Sequence, residues 1–369
     1  MGARVAIISN TSWNIFNFRL NLARALRTYG YEVILIAPRD EYSERLSREF
    51  EYHDIYISNK GTNPIEDLKT TIGFYKLFSQ LKPSVILSYT IKPNIYGNIA
   101  GKLSNVKSIN NISGLGTAFI QESLITKIVK QLYKYSLSKS SKVFFQNGDD
   151  KKLFIDKRLV KDDSCDLVPG SGVDSQKFQP SMLERSSTQI KFLLIARMLW
   201  DKGVGEFIES ARIIKEKYPN ASFYLLGAIG VENSTAIQRE QIEAWEHEGI
   251  IKYLGISDNV KEVIDKADCI VLPSYREGVP RSLLEAASMA KPIITTNVVG
   301  CKEVVDDGIN GFLCEAKNAK DLARQIEKMI LLSSYEREEM GWAGRAKIIN
   351  EFDEKIVIDK YITAIKEIA

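Results

Sequence analysis

Cysteine and histidine are both sparse in this chain of 369 residues, and neither is patterned. Cys165, Cys269, Cys301 and Cys314 show neither Cys-x-x-Cys spacing nor a disulfide-dense setting. Cys269 falls in an apolar run, and all four read as reduced thiols of a cytoplasmic protein. The two histidines, His53 and His247, lie in polar, loop-adjacent sequence and read as surface residues, which removes the commonest general base from consideration. No run is apolar for long enough to span a bilayer. The start, Met1-Gly-Ala-Arg-Val-Ala-Ile-Ile8, enters a strand without the apolar core and cleavage site of a signal peptide. No Gly-x-Gly-x-x-Gly follows that strand, so an NAD-binding domain fits poorly. Low-complexity segments and short repeats are absent, as is any motif of a nucleic-acid-binding module. What remains is a soluble chain, free to touch a membrane surface without crossing it.

A hydrophobic fraction of 44% suffices for two cores, and the length suits two doubly wound domains better than one. Strand-like and helix-like segments alternate from the start: strand over 4–9, helix over 16–29, strand over 32–38, a helix near 66–81 and a strand at 84–88. The alternation pauses after Leu167-Val-Pro-Gly-Ser-Gly-Val-Asp174 and restarts at Ile190, with further strands expected at 222–227, 251–255, 269–273 and 292–296. The expected division is 1–180, 181–350 and a terminal helical segment 351–369. Two such α/β domains facing one another place the carboxyl ends of both parallel sheets around a central cleft, where ligands of this architecture bind.

The formal charge of +3 hides an asymmetry. Residues 1–180 hold 25 Lys+Arg against 17 Asp+Glu, and between Leu68 and Gly148 eleven lysines face one acid, Glu122. Such a bias points to an anionic partner. The segment 123–137 sets lysines on one side of a helix and Ile, Val, Leu and Tyr on the other, as an interfacial helix does, although an ordinary solvated face has the same pattern. With no accompanying motif, nucleic acid is not the expected partner.

The most informative stretch is Ser274-Tyr-Arg-Glu277-Gly-Val-Pro-Arg-Ser-Leu-Leu-Glu285. A buried strand precedes it and a helix begins near Pro280, so Glu277 belongs on the loop and Glu285 about one turn into the helix. The backbone N–H groups at such a helix start can hold an anion, which makes a diphosphate site plausible, whereas the spacing alone is equally that of a surface helix. Arg197 and Lys202, in Ala196-Arg-Met-Leu-Trp-Asp-Lys-Gly203, follow the first strand of the second half and so belong at the same sheet edge. Arginine chelates phosphate oxygens bidentately and lysine supplies a point charge; together they suit a diphosphate and its departure as a leaving group.

These motifs resemble the donor site of glycosyltransferase family 4, and the resemblance extends over essentially the whole chain. It implies a GT-B fold of two Rossmann-like domains, with the terminal helix 351–369 crossing back onto the first domain, and retaining transfer. By the same resemblance Arg197 and Lys202 hold a donor diphosphate, Glu285 binds the ribose hydroxyls and Glu277 contacts the transferred sugar. Backbone at Gly278, Val279 and Pro280 holds sugar and phosphate, and the base rests near Leu254. The expected catalytic residues are Glu277, Arg197 and Lys202. The first half resembles a narrower branch, bacterial enzymes that add N-acetylgalactosamine, galactose or similar sugars to polyprenyl-diphosphate-linked acceptors in glycan or O-antigen assembly. Its marks here are Phe16-Asn-Phe-Arg19, Tyr89-Thr-Ile-Lys92-Pro-Asn-Ile-Tyr-Gly97 and Ser113-Gly-Leu-Gly116. Asn14, Arg19, Thr90, Lys92, Gly114 and Gly116 are the acceptor-binding candidates, and a lysine-rich first half fits an acceptor held at an anionic membrane.

Two departures from that family pattern matter. A glycine pair usual in the first loop is replaced by Ser9-Asn-Thr-Ser-Trp-Asn14, and the usual first-domain histidine is absent, with Asn110-Asn-Ile-Ser113 in its region. Substrate-assisted front-face retention needs no imidazole, because the departing diphosphate oxygen takes the acceptor's proton; double displacement on Glu277 ranks second. No Asp-x-Asp triplet occurs, so no metal or other cofactor is expected beside the UDP-sugar substrate. Within the same architecture, a nucleotide-sugar epimerase or hydrolase and a non-catalytic sugar-nucleotide-binding subunit are the alternatives. Arg276, Val279 and Arg281 are candidates for sugar choice. The expected location is cytoplasmic, at the inner face of the cytoplasmic membrane.

Overall fold

The computed structural model describes residues 2–58, 63–114, 124–181 and 189–368, apart from the side chains at 124 and 125. Two compact units are formed, one from 1–171 with 356–369 and the other from 172–355.

The first unit is built on a seven-stranded, wholly parallel sheet of β1 (Arg4–Ile8), β2 (Glu32–Ile36), β3 (Glu51–His53), β4 (Val85–Tyr89), β5 (Lys107–Ile112), β6 (Lys142–Phe145) and β7 (Cys165–Leu167). Their order is 3-2-1-4-5-6-7. Strands of a helix-covered parallel sheet are apolar on both faces, and successive residues go to opposite sides. Val5 and Ile7 enter one core with Leu35 and Leu87, while Ala6 and Ile8 enter another with Ile34, Ile86, Phe74 and Phe78. The helix Pro64–Leu81 supplies the two phenylalanines; it starts on an Asn63 cap with Pro64 in the first position and stops at Lys82 in the left-handed region, φ 46°.

The second unit has six parallel strands, β8 (Lys191–Ile195), β9 (Ser222–Leu226), β10 (Lys252–Tyr253), β11 (Cys269–Leu272), β12 (Ile293–Thr296) and β13 (Gly311–Cys314), in the order 10-9-8-11-12-13. It too has a core on each face. Phe192, Leu194 and Val271 lie in one; Leu193, Ile270 and Leu272 lie in the other.

Two local expectations change. The single helix expected over 16–29 is two, Ser12–Phe18 and Leu20–Thr28, because Arg19 leaves helical geometry at φ −130°, ψ −4°. The boundary lies at 171–172 instead of 180–181. Val173 pairs with Asp353, its N–H donating to Phe352 O at 3.0 Å, and Ser288 Oγ donates to Phe178 O at 2.6 Å, so 172–180 belongs to the second unit. The terminal helix, Glu354–Ile368, joins the first unit from residue 356 onward. There Val357, Tyr361, Ile362 and Ile365 enter the core beside Tyr89 and Phe144, and Asn111 Nδ2 donates to Tyr361 Oη at 2.9 Å.

Candidate active site

In each sheet the strand order reverses at one point, between β1 and β4 and between β8 and β11. Crossover helices leave in opposite directions there, opening a crevice at the strands' carboxyl ends. The described sequence-derived candidates divide between the two units.

At the switch point of the second unit, β8 leads through Arg197 into a short turn, Trp200–Lys202, and then the helix Val204–Lys217. Gly203 makes the corner at φ 72°, and a Cβ there would lie 2.1 Å from Pro273 O. Only glycine permits both the angle and the approach. The loop after β11 is tied to that turn: Tyr275 N–H donates to Asp201 O at 2.9 Å, and buried Ser274 lies 3.2 Å from the same carbonyl. This contact brings Lys202 Nζ onto Glu277 Oε1, an ion pair whose side chains are 18% and 14% exposed. Ser274 Oγ donates to the same Oε1 at 2.8 Å. Glu277 is fixed from its backbone as well, N–H to Val299 O at 3.0 Å. Next to it, Gly300 at φ 88° leaves no room for a Cβ, which would meet Glu277 O at 2.3 Å.

Arg197 is exposed and pairs with no carboxylate among the described residues. Beside the site, Tyr275 Oη donates to Glu206 Oε1 at 2.7 Å; burial first, then Glu206, holds its phenol well above the ordinary range. Burial and then the Glu277 carboxylate push the Cys301 thiol up to about 12, so it stays neutral.

Gly278, Val279 and Pro280 are buried at the start of the helix Arg281–Ser288, Pro280 occupying its N-cap at φ −73°, ψ 115°. The first N–H groups of a helix have no intrahelical acceptor and face outward, as an anion site requires. Glu285 is the fifth residue of that helix. Arg281 Nε donates to its Oε1 at 2.9 Å, the two side chains being 18% and 14% exposed. Burial raises the Glu285 carboxyl above its ordinary 4.5, while Arg281 and then Lys177 oppose the rise. Leu254 follows β10, half-buried, its N–H donating to Leu225 O at 2.8 Å.

At the switch point of the first unit, Asn10 N–H donates to Thr90 Oγ1 at 3.3 Å, linking the loops after β1 and β4. Thr90 sits at φ 68°, an uncommon conformation for a β-branched residue and one that clusters at functional sites. Asn14 Oδ1 accepts from Ser9 Oγ at 3.1 Å. Arg19 is buried, its guanidinium 4.0 Å from the centre of the Tyr89 ring. Gly114 follows β5 at φ 111°, and Gly116 lies outside the described residues. Lys92 is engaged elsewhere: its Nζ lies 2.7 Å from Asp67 Oδ1, while Tyr96 Oη donates to Asp67 Oδ2 at 2.6 Å. The four cysteines are free and buried. Among the described residues no group of three or more His, Cys, Asp and Glu is arranged to hold a metal ion.

Sequence reasoning missed Ser274, Arg281 and Asp67 as partners. Arg281 and Glu285 were readable as a helical i,i+4 pair; the other two contacts join distant segments and leave no local signal.

Comparison with known proteins decides what this arrangement belongs to. Residues 175–347 match the family model for glycosyl transferases group 1, and residues 4–147 match that for glycosyl transferase 4-like proteins. The N,N'-diacetylbacillosaminyl-diphospho-undecaprenol alpha-1,3-N-acetylgalactosaminyltransferase of Campylobacter jejuni is 30% identical, over 97% of this chain and 97% of its own. The chain belongs to the family 4-like glycosyltransferases. An Escherichia coli UDP-Gal:alpha-D-GlcNAc-diphosphoundecaprenol alpha-1,3-galactosyltransferase is 26% identical, over 80% of this chain and 78% of its own. Among solved structures, a glycosyltransferase from Rickettsia africae superposes with a TM-score of 0.81 at 20% identity, covering 100% of this chain and 98% of its own. Anabaena HepE in complex with UDP-glucose gives 0.81 at 14% identity, over 99% of each chain. These likenesses bear out the GT-B fold, and the glycosyltransferase is an enzyme, as expected.

Proposed function

We propose that this glycosyltransferase moves a sugar, best N-acetylgalactosamine or a related hexose, from a UDP-sugar to a polyprenyl-diphosphate-linked saccharide in bacterial glycan assembly, with retention at the anomeric carbon. The observation that supports the donor half is the Lys202–Glu277 ion pair at the second switch point. Arg197 stands on the loop after β8, and the helix bearing Glu285 starts on the loop after β11. The acceptor half is supported by the activities of the Campylobacter and Escherichia coli relatives.

In this scheme Arg197, Lys202 and the free N–H groups at the start of the helix Arg281–Ser288 stabilise the departing diphosphate as its charge develops. Lys202 exchanges the Glu277 carboxylate for a phosphate oxygen when donor binds. Glu277, still held by Ser274, is then free to orient the sugar. The departing oxygen takes the acceptor's proton, and charge compensation by the two cations leaves no role for a metal.

Membrane attachment completes the proposal. The helix Pro64–Leu81 exposes Ile65, Leu68, Ile72 and Tyr75 along one face, with Lys69 and Lys76 among them. The helix Leu124–Leu137 exposes Ile128 and Tyr135 with Lys127 and Lys134, and the helix Asn98–Leu103 packs against both. Apolar residues among lysines suit the anionic face of a membrane; no described helix is long and apolar enough to cross one.

The test is incubation of purified protein with a panel of UDP-sugars and a polyprenyl-diphosphate-linked monosaccharide, in chelator, with the anomeric configuration of the product read by NMR. Transfer with retention is expected. Donor turnover without acceptor, an inverted product or loss of transfer in chelator would each overturn the corresponding part.

A further inference from the structure

The donor site contains an arginine that the sequence offered only for sugar choice, and its geometry gives it another task. Arg281 opens the helix Arg281–Ser288, and its Nε is bound 2.9 Å from Glu285 Oε1 one turn later. Glu285 Oε2 has no hydrogen-bond partner among the described residues and is not sealed off from solvent. We propose that Arg281 is a positioning residue for Glu285: it occupies Oε1, fixes the rotamer and keeps the carboxylate ionised, so that Oε2 presents an acceptor to the two hydroxyls of a nucleotide ribose. This rests on the donor-site assignment above and adds to it the residue on which Glu285 depends.

The need for such a partner follows from burial. A carboxylate this enclosed gains a proton more readily than one in water, and a protonated carboxyl gives up part of its acceptor capacity. Two cations act against that tendency, Arg281 directly and Lys177, from the segment preceding β8, at longer range. The other elements packed on this helix are β11, β12, the helix Ser334–Lys347 and the turn 348–352. Of their charged groups, Arg337 donates to the Met329 and Leu332 carbonyls, Glu336 closes the cap of its own helix, Lys347 pairs with Asp306, and Glu338, Glu339 and Glu351 are exposed. Arg345 donates to the carbonyls of Ser175, Phe178 and Ser288; Asp353 accepts from Ser175 Oγ; burial keeps the Cys269 thiol protonated. Arg281 is therefore the only close countercharge described for Glu285.

The sign is fixed by the chemistry. Binding that needs ionised Glu285 is complete above its pKa and is lost as pH falls through it. Removing the guanidinium raises that pKa, so the loss begins at higher pH.

The experiment is calorimetric titration of the full chain with UDP between about pH 5 and about pH 9, for wild type, Arg281→Met, Arg281→Lys and Glu285→Gln. Arg281→Met is expected to have its acid limb raised by about one unit, to bind up to about tenfold more weakly than wild type at the acid end of the range, and to recover to within about threefold near pH 9. Arg281→Lys keeps the charge and is expected to hold its limb near wild type, which also covers the case in which the methionine variant fails to fold. A loss in Arg281→Met that is equal at every pH, or an unshifted limb, overturns the proposal while leaving the donor site in place. Wild-type affinity in Glu285→Gln at every pH, or no UDP binding by wild type, overturns the donor-site assignment itself.

Discussion

Gly203 and Gly230 form a matched pair that isolates how tightly the turn carrying Lys202 is held. Both sit at φ 72°, so alanine pays the same left-handed penalty at each; a Cβ at Gly203 would meet Pro273 O at 2.1 Å, whereas at Gly230 nothing lies within 4 Å. The conformational penalty is about 1–2 kcal/mol, reduced by about 0.4–1 kcal/mol because alanine also stiffens the unfolded chain. Gly230→Ala should therefore cost roughly 1 kcal/mol or less. At Gly203 the backbone of one loop must also move by more than about 1 Å, a strain comparable to severe overpacking and worth about 2–3 kcal/mol more. For a unit of this size each kcal/mol lowers Tm by about 2–4 °C, so Gly203→Ala should melt roughly 6–12 °C below wild type and Gly230→Ala about 1–4 °C below. Displacing Lys202 by an ångström should also reduce transfer by about a hundredfold in Gly203→Ala, with Gly230→Ala near wild type. Differential scanning fluorimetry and steady-state transfer assays read the two effects. Equal melting shifts in the two variants, or normal transfer by Gly203→Ala, would refute the claim that this close approach positions the site.

Glu277→Ala and Lys202→Ala are each expected to lower transfer at least about tenfold, or about 1.4 kcal/mol of transition-state stabilisation, with melting close to wild type; near-normal turnover in both purified variants would remove them from the site. Lys92→Met strands the buried Asp67 carboxylate and should cost about 3–5 kcal/mol, much of it regained in Asp67→Asn/Lys92→Met. Chemical denaturation checks this, and a single variant as stable as wild type counts against a structural role for the pair. Leu68→Glu/Ile72→Glu should leave flotation with anionic vesicles at least about threefold weaker at low salt, since each change replaces exposed apolar area that would dock with a charge of the vesicle's own sign; unchanged flotation would show that this face is not the one that docks.

What could be read from the sequence was whatever is local. The apolar runs at β1, β2, β4, β8, β9 and β11 announce a parallel sheet, and each chemical residue follows its strand closely enough to be assigned to the sheet edge. Glu277 and Glu285 were placed on the loop and one turn into the helix, which is where they lie. β5 gives no such signal because it is polar, Lys-Ser-Ile-Asn-Asn-Ile, yet it is buried after its first residue. Its amides make this possible: Asn110 Nδ2 donates to Asn94 Oδ1 and Asn111 Nδ2 to Tyr361 Oη, 250 residues away. Lys92 misled for a related reason. In a stretch counted from Leu68 it is one of many lysines facing a single acid, whereas its actual partner, Asp67, stands one residue before that stretch. Partners that arrive through the fold are invisible to periodicity and spacing.

The helix Glu354–Ile368 gives the chain an order of assembly. Because Tyr361 and its neighbours complete the core around Tyr89 and Phe144, residues 1–171 cannot close that core until residues 356 onward have been synthesised. Everything between is, for the first unit, a single long loop, whose closure as flexible chain would cost on the order of 4–5 kcal/mol in entropy. The second unit removes most of that cost when it folds, since Val173 and Asp353 are then bridged and Glu354 N–H is 3.0 Å from Val173 O. Later domain first, earlier domain second is thus the expected sequence on a ribosome, reversing the usual N-terminal-first order, and a mutation that unfolds the second unit also takes away the tether on which the first depends.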